Sequence, residues 1–345
     1  MPNPSNAATL DILPPPPSGK AGWPWTEQTE QLPQSMPDGS EWPKISIVTP
    51  SYNQGKFIEE TIRSVLLQGY PNLEYIIIDG GSTDNSVEII QRYSPWLNYW
   101  VSEKDRGQSD ALNKGFAISN GEICAYINSD DIFLPNAFYK LAIAYANNKH
   151  FEWFASSVLY GKSLAENRTW YAYAAKFPYF VVNQTIAQPG VFWTSNILHK
   201  PWFDANRNIN MDHKFFIEIY LKIGSPYIIP ETTAFFRWHP DSKTSKPSES
   251  WNQEYQSLIN EVMKRVDERV VFAIHQEAIR LRYVGCISEL LSRNSKNFIE
   301  RWSRVNEAFN ILTKTPFVFR DRIFISGLFR LGVQVFQRNK KTKIF

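Results

Sequence analysis

The sequence predicts an α/β fold, a mostly parallel sheet with helices on both faces. Two observations predict it. Short β-branched and apolar runs alternate with segments of helical periodicity, and that alternation builds parallel sheets by crossover connections. Each early run also stops at a cluster of Gly, Asp, Asn and Ser, and the carboxyl ends of parallel strands are where such folds bind ligands.

The elements follow in order. Ile45-Ser46-Ile47-Val48-Thr49 is a buried strand ended by Pro50. Gly55 to Leu67 carries Phe57, Ile58, Ile62, Val65 and Leu66 at helical spacing. Leu73 to Ile78 is a second buried strand, and Val87 to Tyr93 a helix after the turn Asp79–Asp84, with Ser82 or Asp84 as its cap. Trp100 and Val101 mark a third strand, Ser109 to Ile118 a helix, and Ile123 to Ile127 a fourth strand. Pro135 opens another helix. Aromatic-rich segments from Phe151 to Tyr173 read as strands on the sheet edge. Met211 to Ile223 reads as a helix, Thr233 to Trp238 as a strand, and Trp251 to Leu291 as strongly helical. The expected organisation is a Pro-rich tail over 1–42, disordered or else draped over the domain, an α/β domain over 43–245, and a helical region over 246–345.

Composition narrows the function. The 345 residues include 43% apolar and 21% charged residues, ordinary for a folded protein. A net charge of +3 gives no basis for nucleic-acid binding. The charge concentrates at the end, where Lys314–Phe345 holds eight Lys or Arg and one Asp. Within it, 320–345 interleaves basic residues with Ile323, Phe324, Leu328, Phe329, Leu331, Val333, Val335 and Phe336. Such a stretch suits either an anionic membrane surface or packing on the domain. Cys124 and Cys286 are too few and too far apart for a disulfide framework or thiolate metal cluster. No secretory leader and no apolar run near the ~20 residues of a membrane span is present. The expectation is a cytoplasmic protein, with any membrane contact peripheral, on the inner face.

Three polar clusters fall at strand ends: Thr49–Asn53, Asp79–Asp84 and Asn128–Asp131. Adjacent carboxylates Asp130 and Asp131 suit a hard cation, Mg²⁺ or Mn²⁺. Asp131 equally reads as the cap of the helix near Pro135. Asp79-Gly80-Gly81-Ser82-Thr83-Asp84 places a carboxylate on a turn whose backbone is open to close approach, or is simply a strand-to-helix turn. Between them, Asp105, Arg106, Asp110 and Lys114 suit a nucleoside or diphosphate, or form a solvated helix face.

These motifs occur in order with Asp105-Arg106-Gly107-Gln108 and Ala111-Leu112-Asn113-Lys114-Gly115, and the set resembles the family 2 glycosyltransferases of GT-A fold over roughly Lys44 to Lys243. The resemblance implies a Rossmann-like, mostly parallel sheet with flanking helices, here with a C-terminal helical extension. It implies a UDP-, GDP- or dTDP-linked sugar donor and a hydroxyl acceptor, a saccharide or lipid-linked saccharide of cell-surface polysaccharide or glycolipid synthesis. The family's Asp-X-Asp motif maps to Asn128-Ser129-Asp130, so its first carboxylate is an amide here. Asp130 matches the metal-binding carboxylate, with Asp131 beside it, and Asp79 the nucleobase-contacting Asp. Pro50, Tyr52 and Asn53 lie on the loop that frames the base. Gln108 and Asn128 complete the donor side with Asp105, Asp110 and Lys114. Met211-Asp212-His213-Lys214 resembles the segment carrying the family's general base, which maps to Asp212. Inversion at an anomeric carbon needs one such base opposite the leaving group. Gln188 and Trp193 fall in a segment similar to the acceptor side of one branch. Arg237 and His239 fall in a segment similar to its closing loop, where a cation would stabilise the departing diphosphate; Arg237 equally reads as the partner of a surface carboxylate.

Three rival readings are weighed. A dinucleotide oxidoreductase needs Gly-X-Gly-X-X-Gly after the first strand, where Thr49–Gly55 stands instead. A metal-dependent nucleotidyltransferase needs a Gly-rich basic loop there, which is missing. A non-catalytic sugar- or nucleotide-binding module has no use for Asp130 together with Asp212.

Overall fold

The computed structural model describes residues 8–245 and 249–292, with isolated positions 303, 306 and 329 beyond. The chain divides into two compact units, Met1–Glu261 and Val262–Phe345. The basic segment 320–345 lies outside the described residues apart from one position.

In the first unit the order is β1 (Ile45–Ser51), α1 (Ile58–Leu66), β2 (Leu73–Asp79), α2 (Ser86–Tyr93), β3 (Tyr99–Ser102), α3 (Gln108–Ile118), β4 (Ile123–Tyr126), β5 (Ile132–Phe133) and α4 (Ala137–Asn147). Next come β6 (Trp153–Ser163), β7 (Glu166–Trp170), α5 (Phe177–Val182), β8 (Val191–Thr194), α6 (Met211–Ile223), β9 (Tyr227–Arg237) and α7 (Glu249–Met263), which runs just past the unit boundary. The described part of the second unit carries α8 (Glu268–Ser292).

The sheet runs β3-β2-β1-β4-β8-β6-β9-β5, with β7 paired to β6. β3, β2, β1 and β4 are mutually parallel, β8 turns antiparallel, and β6 and β9 are again parallel. This is the Rossmann-like, mostly parallel sheet with flanking helices that the motifs predict. β1 continues past Thr49 to Ser51, because Pro50 sits at a position matched to Ile78 without ending the pairing. The Phe151–Tyr173 region departs from expectation. β6 lies inside the sheet, flanked by β8 and β9, and only β7 is peripheral.

The register fixes the site's floor. Ser51 lies level with Asp79, and Asp79 with Ser102, so three strands end together. Every residue of β1 is buried, and all of β2 after Leu73, as expected for strands covered on both faces. Gly115 on α3 lets that helix lie against the sheet, since a Cβ there would meet Val48 Cγ1 at 2.5 Å.

Of the two readings of the 1–42 tail, the draped one and not the disordered one describes residues 8–42. From residue 8 onward the segment is part of the fold, and Leu13, Trp23, Trp25, Met36 and Trp42 are buried. Trp23 Nε1 donates to Phe133 O at 2.8 Å and Thr29 Oγ1 to Leu67 O at 2.8 Å. The backbone bonds Thr29 N to Leu67 O and Leu32 N to Gly69 O follow the same track. The segment lacks periodicity because it builds no regular element. Its indole rings and its carbonyls, bonded one at a time, hold it down instead.

Among the described residues no helix is long and apolar enough to cross a membrane.

Candidate active site

The first two loops at the carboxyl edge are stitched together. Asn53 N donates to Ser82 Oγ (2.7 Å), Gln54 N to Ser86 Oγ (2.9 Å), Gly55 N to Asp84 Oδ2 (2.9 Å), and Thr83 N to Asn53 Oδ1 (2.8 Å). Asn53 takes a left-handed conformation (φ 52°) to do this. Of the predicted base-framing residues, Pro50 is buried in β1, Asn53 pins the loop, and Tyr52 projects outward at 60% exposure. Asp84, one residue ahead of the α2 cap position Asn85, accepts from Ser86 N at 3.0 Å. Burial works to raise its carboxyl, yet hydrogen bonds from Ser86 and Gly55 hold it below the usual range.

Asp79 does not stand where a ligand can reach it. It is fully buried. Its Oδ2 accepts from Gly81 N (3.1 Å), Ser82 N (2.8 Å) and Ser102 Oγ (2.7 Å), and its Oδ1 from Ser82 Oγ (2.6 Å). The carboxylate organises the turn, which corrects the expectation that it contacts a nucleobase.

The next loop brings Asp105 to that edge. Asp105 Oδ1 accepts from Gly107 N at 2.8 Å, ahead of α3. Asp110 and Lys114 are occupied on the helix surface: Arg106 pairs with Asp110 at 2.7 Å, and Lys114 with Glu103 at 2.8 Å and Asp110 at 3.7 Å. The helix-face reading therefore describes this pair better than donor binding, though Lys114 stays within electrostatic range of Asp105.

Asn128 is the hub of the third cluster. Its Oδ1 accepts from Gln108 Nε2 at 2.6 Å, and its Nδ2 donates to Gln188 Oε1 (3.1 Å) and Asp131 Oδ2 (3.2 Å). Gln188 in turn donates to Tyr126 O at 2.8 Å. Asp131 is fully buried and also accepts from Arg237 N at 2.8 Å. Burial, then the neighbouring Asp130 charge, pushes its carboxyl well above the usual range. With both oxygens taken and no solvent face, Asp131 is not a metal ligand, which corrects that expectation. Arg237 is likewise committed: Nε donates to Asp130 O (2.9 Å), the guanidinium pairs with Glu60 (3.0 Å), and it lies over Phe57 (5.3 Å). It ties β9 to the Asn128–Asp131 turn, and it is not free to meet a diphosphate.

Asp130 and His239 keep partly exposed side chains beside this cluster. Asp130 Oδ2 lies 3.0 Å from His239 Nε2, with side-chain exposures of 17% and 12% that keep both reachable. The imidazole sits over Phe57, ring centres 4.6 Å apart. The two atoms are hydrogen-bonded to each other; with that bond opened, a carboxylate oxygen and an imidazole nitrogen so close would fit two corners of a divalent cation's shell, leaving the rest for water and phosphate oxygens. No cluster of three such ligands occurs among the described residues.

Asp212 occupies the first turn of α6, half-buried, with Oδ2 accepting from Gln184 Nε2 at 3.1 Å. The convergence of distant carboxylates is visible at Lys243. Its Nζ donates to Gln108 Oε1 (3.0 Å) and lies within electrostatic range of Asp130, Glu254, Asp212 and Asp105. One ammonium thus senses carboxylates from two separate loops and two helices. Sequence reasoning missed both Lys243 and Gln184 as site residues, and for Gln184 no signal was present. Trp193 does not line the site. It is buried among Phe116 (5.5 Å), Trp202 (5.7 Å) and Phe215 (4.9 Å), so its acceptor-side expectation is corrected to core packing. His213, next to Asp212, is buried, and burial holds its pKa down while Nε2 meets Phe180 O at 2.8 Å.

Residues 46–193 match the model of Glycosyl transferase family 2. A teichuronic acid biosynthesis assignment attaches to TuaG of Bacillus subtilis, a glycosyltransferase 38% identical over 26% of this chain and 36% of its own. The chain spans about a third of the length of the first curated relatives it matches. Among solved structures, S. aureus TarS 1–349 superposes with a TM-score of 0.53 at 16% identity, covering 79% of this chain and 81% of that one. The mannosyltransferase PcManGT from Pyrobaculum calidifontis, in complex with GDP-Man and Mn²⁺, gives 0.50 at 15% identity, covering 86% and 88%. Residues 46–193 thus match glycosyl transferase family 2, and they are carried on a GT-A fold.

Proposed function

We propose that the protein transfers a sugar, with inversion, from a nucleoside-diphosphate donor to an acceptor hydroxyl in the synthesis of a cell-surface polysaccharide or glycolipid. The observation that supports it most is the gathering of Asp105, Asp130 and Asp212 about the Lys243 ammonium. The family match and the relative assigned to teichuronic acid synthesis support the substrate class.

Roles follow from position. Asp130 and His239 would hold Mn²⁺ or Mg²⁺, which when bound offsets the charge that develops on the leaving diphosphate. The donor lies along the edge formed by Tyr52, Gly80, Asp105 and Asn128. Gln108 and Gln188 hold the Asn128 amide in one orientation, since each uses a different end of it. Asp212 takes the proton from the attacking hydroxyl, and Gln184 keeps one of its oxygens fixed so that the other faces the acceptor. Alignment of hydroxyl, anomeric carbon and base supplies a large part of the acceleration.

The test is direct. Purified protein with Mn²⁺ is incubated with UDP-, GDP- and dTDP-linked sugars, and release of nucleoside diphosphate is followed. Turnover of at least one donor, faster with a saccharide acceptor present, is the expected result. Donor binding without turnover under any acceptor would favour a non-catalytic binding module.

A further inference from the structure

With Asp79 buried, the nucleobase lacks the reader that the family resemblance assigns. We infer that Asp105 takes this role and that the base it accepts is one with a lactam N–H: uracil, thymine or guanine. The inference rests on the nucleotide-sugar reading and names the chemistry of its donor site.

Gly80 is the first residue beyond the level edge of β1, β2 and β3, and its N–H is bound to Ser51 O at 2.8 Å. A Cβ placed on Gly80 would lie 2.7 Å from Asp105 Oδ2 and 3.1 Å from Oδ1. The Asp105 carboxylate therefore stands where a side chain at position 80 would begin. The end of β2 still presents a carboxylate, supplied from the loop after β3. Gly80 is not in the left-handed region, so its lack of a side chain serves space and not backbone conformation.

Asp105 is built to present one oxygen. Oδ1 is held by Gly107 N at 2.8 Å, and Oδ2 receives no hydrogen bond from the described residues. Tyr52 leaves the adjacent strand end with its ring 60% exposed, a face on which a planar base can stack. A carboxylate only accepts. It matches the ring N–H of uracil, thymine or guanine, and it opposes the bare ring nitrogen of cytosine or adenine.

The experiment is a titration of UDP, dTDP, GDP, CDP and ADP, each with Mn²⁺, onto wild type, Asp105→Asn and the exchange variant Gly80→Asp/Asp105→Gly. Wild type should favour a lactam base over CDP and ADP. Asp105→Asn retains an acceptor for Gly107 N. It should weaken the favoured ligand by about 10- to 100-fold, the worth of a hydrogen bond to a charged group. It should also narrow the gap to CDP, whose ring nitrogen accepts from the new amide. The exchange variant, which returns a carboxylate from position 80, should regain most of the lost affinity. Thermal melting of each variant identifies any loss that comes from unfolding. Wild-type affinity and base order in Asp105→Asn would overturn the inference while leaving the nucleotide reading in place, as would equal wild-type affinity for CDP. If wild type binds no nucleoside diphosphate, both readings fall together.

Discussion

Asp212→Asn is expected to leave donor binding near wild type and to lower sugar transfer by about 10²- to 10⁴-fold, the contribution typical of a positioned general base. The substitution keeps size and shape. An amide can still meet Gln184 after its ends reorient, so the first turn of α6 should persist. What is lost is basicity at the acceptor. The carboxylate lies near the buried Tyr126 and the half-buried Tyr255, both raised in pKa, chiefly by burial and then by its charge. Neither phenol can replace it as a base near neutral pH. Single-turnover transfer measured beside equilibrium donor binding separates the two effects. Transfer near the wild-type rate would remove Asp212 from the mechanism.

The second large effect concerns stability. Arg63 lies on α1 with no exposed surface. Its Nη1 donates to Pro14 O (2.8 Å) and Tyr93 Oη (3.1 Å), its Nη2 to Trp25 O (2.9 Å) and its Nε to Pro24 O (3.0 Å). The guanidinium also lies 5.6 Å from the Trp25 ring centre. Its charge is answered through Tyr93, whose hydroxyl donates to Glu59 Oε1 at 3.0 Å. Arg63→Leu would strand the carbonyls of Pro14, Pro24 and Trp25 and leave the Tyr93 hydroxyl without its donor, a loss of about 3–5 kcal/mol. For a domain of this size that lowers Tm by roughly 10 °C. Arg63→Lys should rescue little, because one ammonium cannot span the same fork. Limited proteolysis gives a second readout, with cleavage before Lys44 appearing in Arg63→Leu and not in wild type. A Tm within a degree or two of wild type would show that the 8–42 segment is held by its indoles alone.

The sheet was legible because buried parallel strands leave a strong mark. Ile45–Thr49, Leu73–Ile78 and Ile123–Ile127 are apolar and β-branched, and each stops at a turn cluster. The helix over Met211–Ile223 matches α6 residue for residue. For the tail the sequence left disorder and draping undecided, because periodicity reports regular elements only. Trp23, Trp25, Met36 and Trp42 were the available signal, since four large apolar residues are unusual in a segment that stays in solvent. In the site, spacing identified the loops but not the state of each carboxylate. Asp79 and Asp105 look equally available in sequence. Only the donors from Gly81, Ser82 and Ser102 show that Asp79 is spent inside the fold. Arg237 and Trp193 failed as site residues for a related reason. A charged or aromatic residue near a cleft is often consumed by its own neighbours, here Glu60 for the arginine and the Phe116–Phe215 cluster for the tryptophan.

The central claim is that distant carboxylates line one cleft shaped for a sugar diphosphate and its cation. Calorimetric titration of the preferred nucleoside diphosphate, with and without Mn²⁺, onto wild type and Asp130→Ala tests it most directly. Wild type should bind at least about tenfold more tightly with Mn²⁺, a ratio worth about 1.4 kcal/mol, and Asp130→Ala should bind equally with and without it. Identical wild-type affinity in both conditions, or a Mn²⁺ effect that survives in Asp130→Ala, would contradict the account.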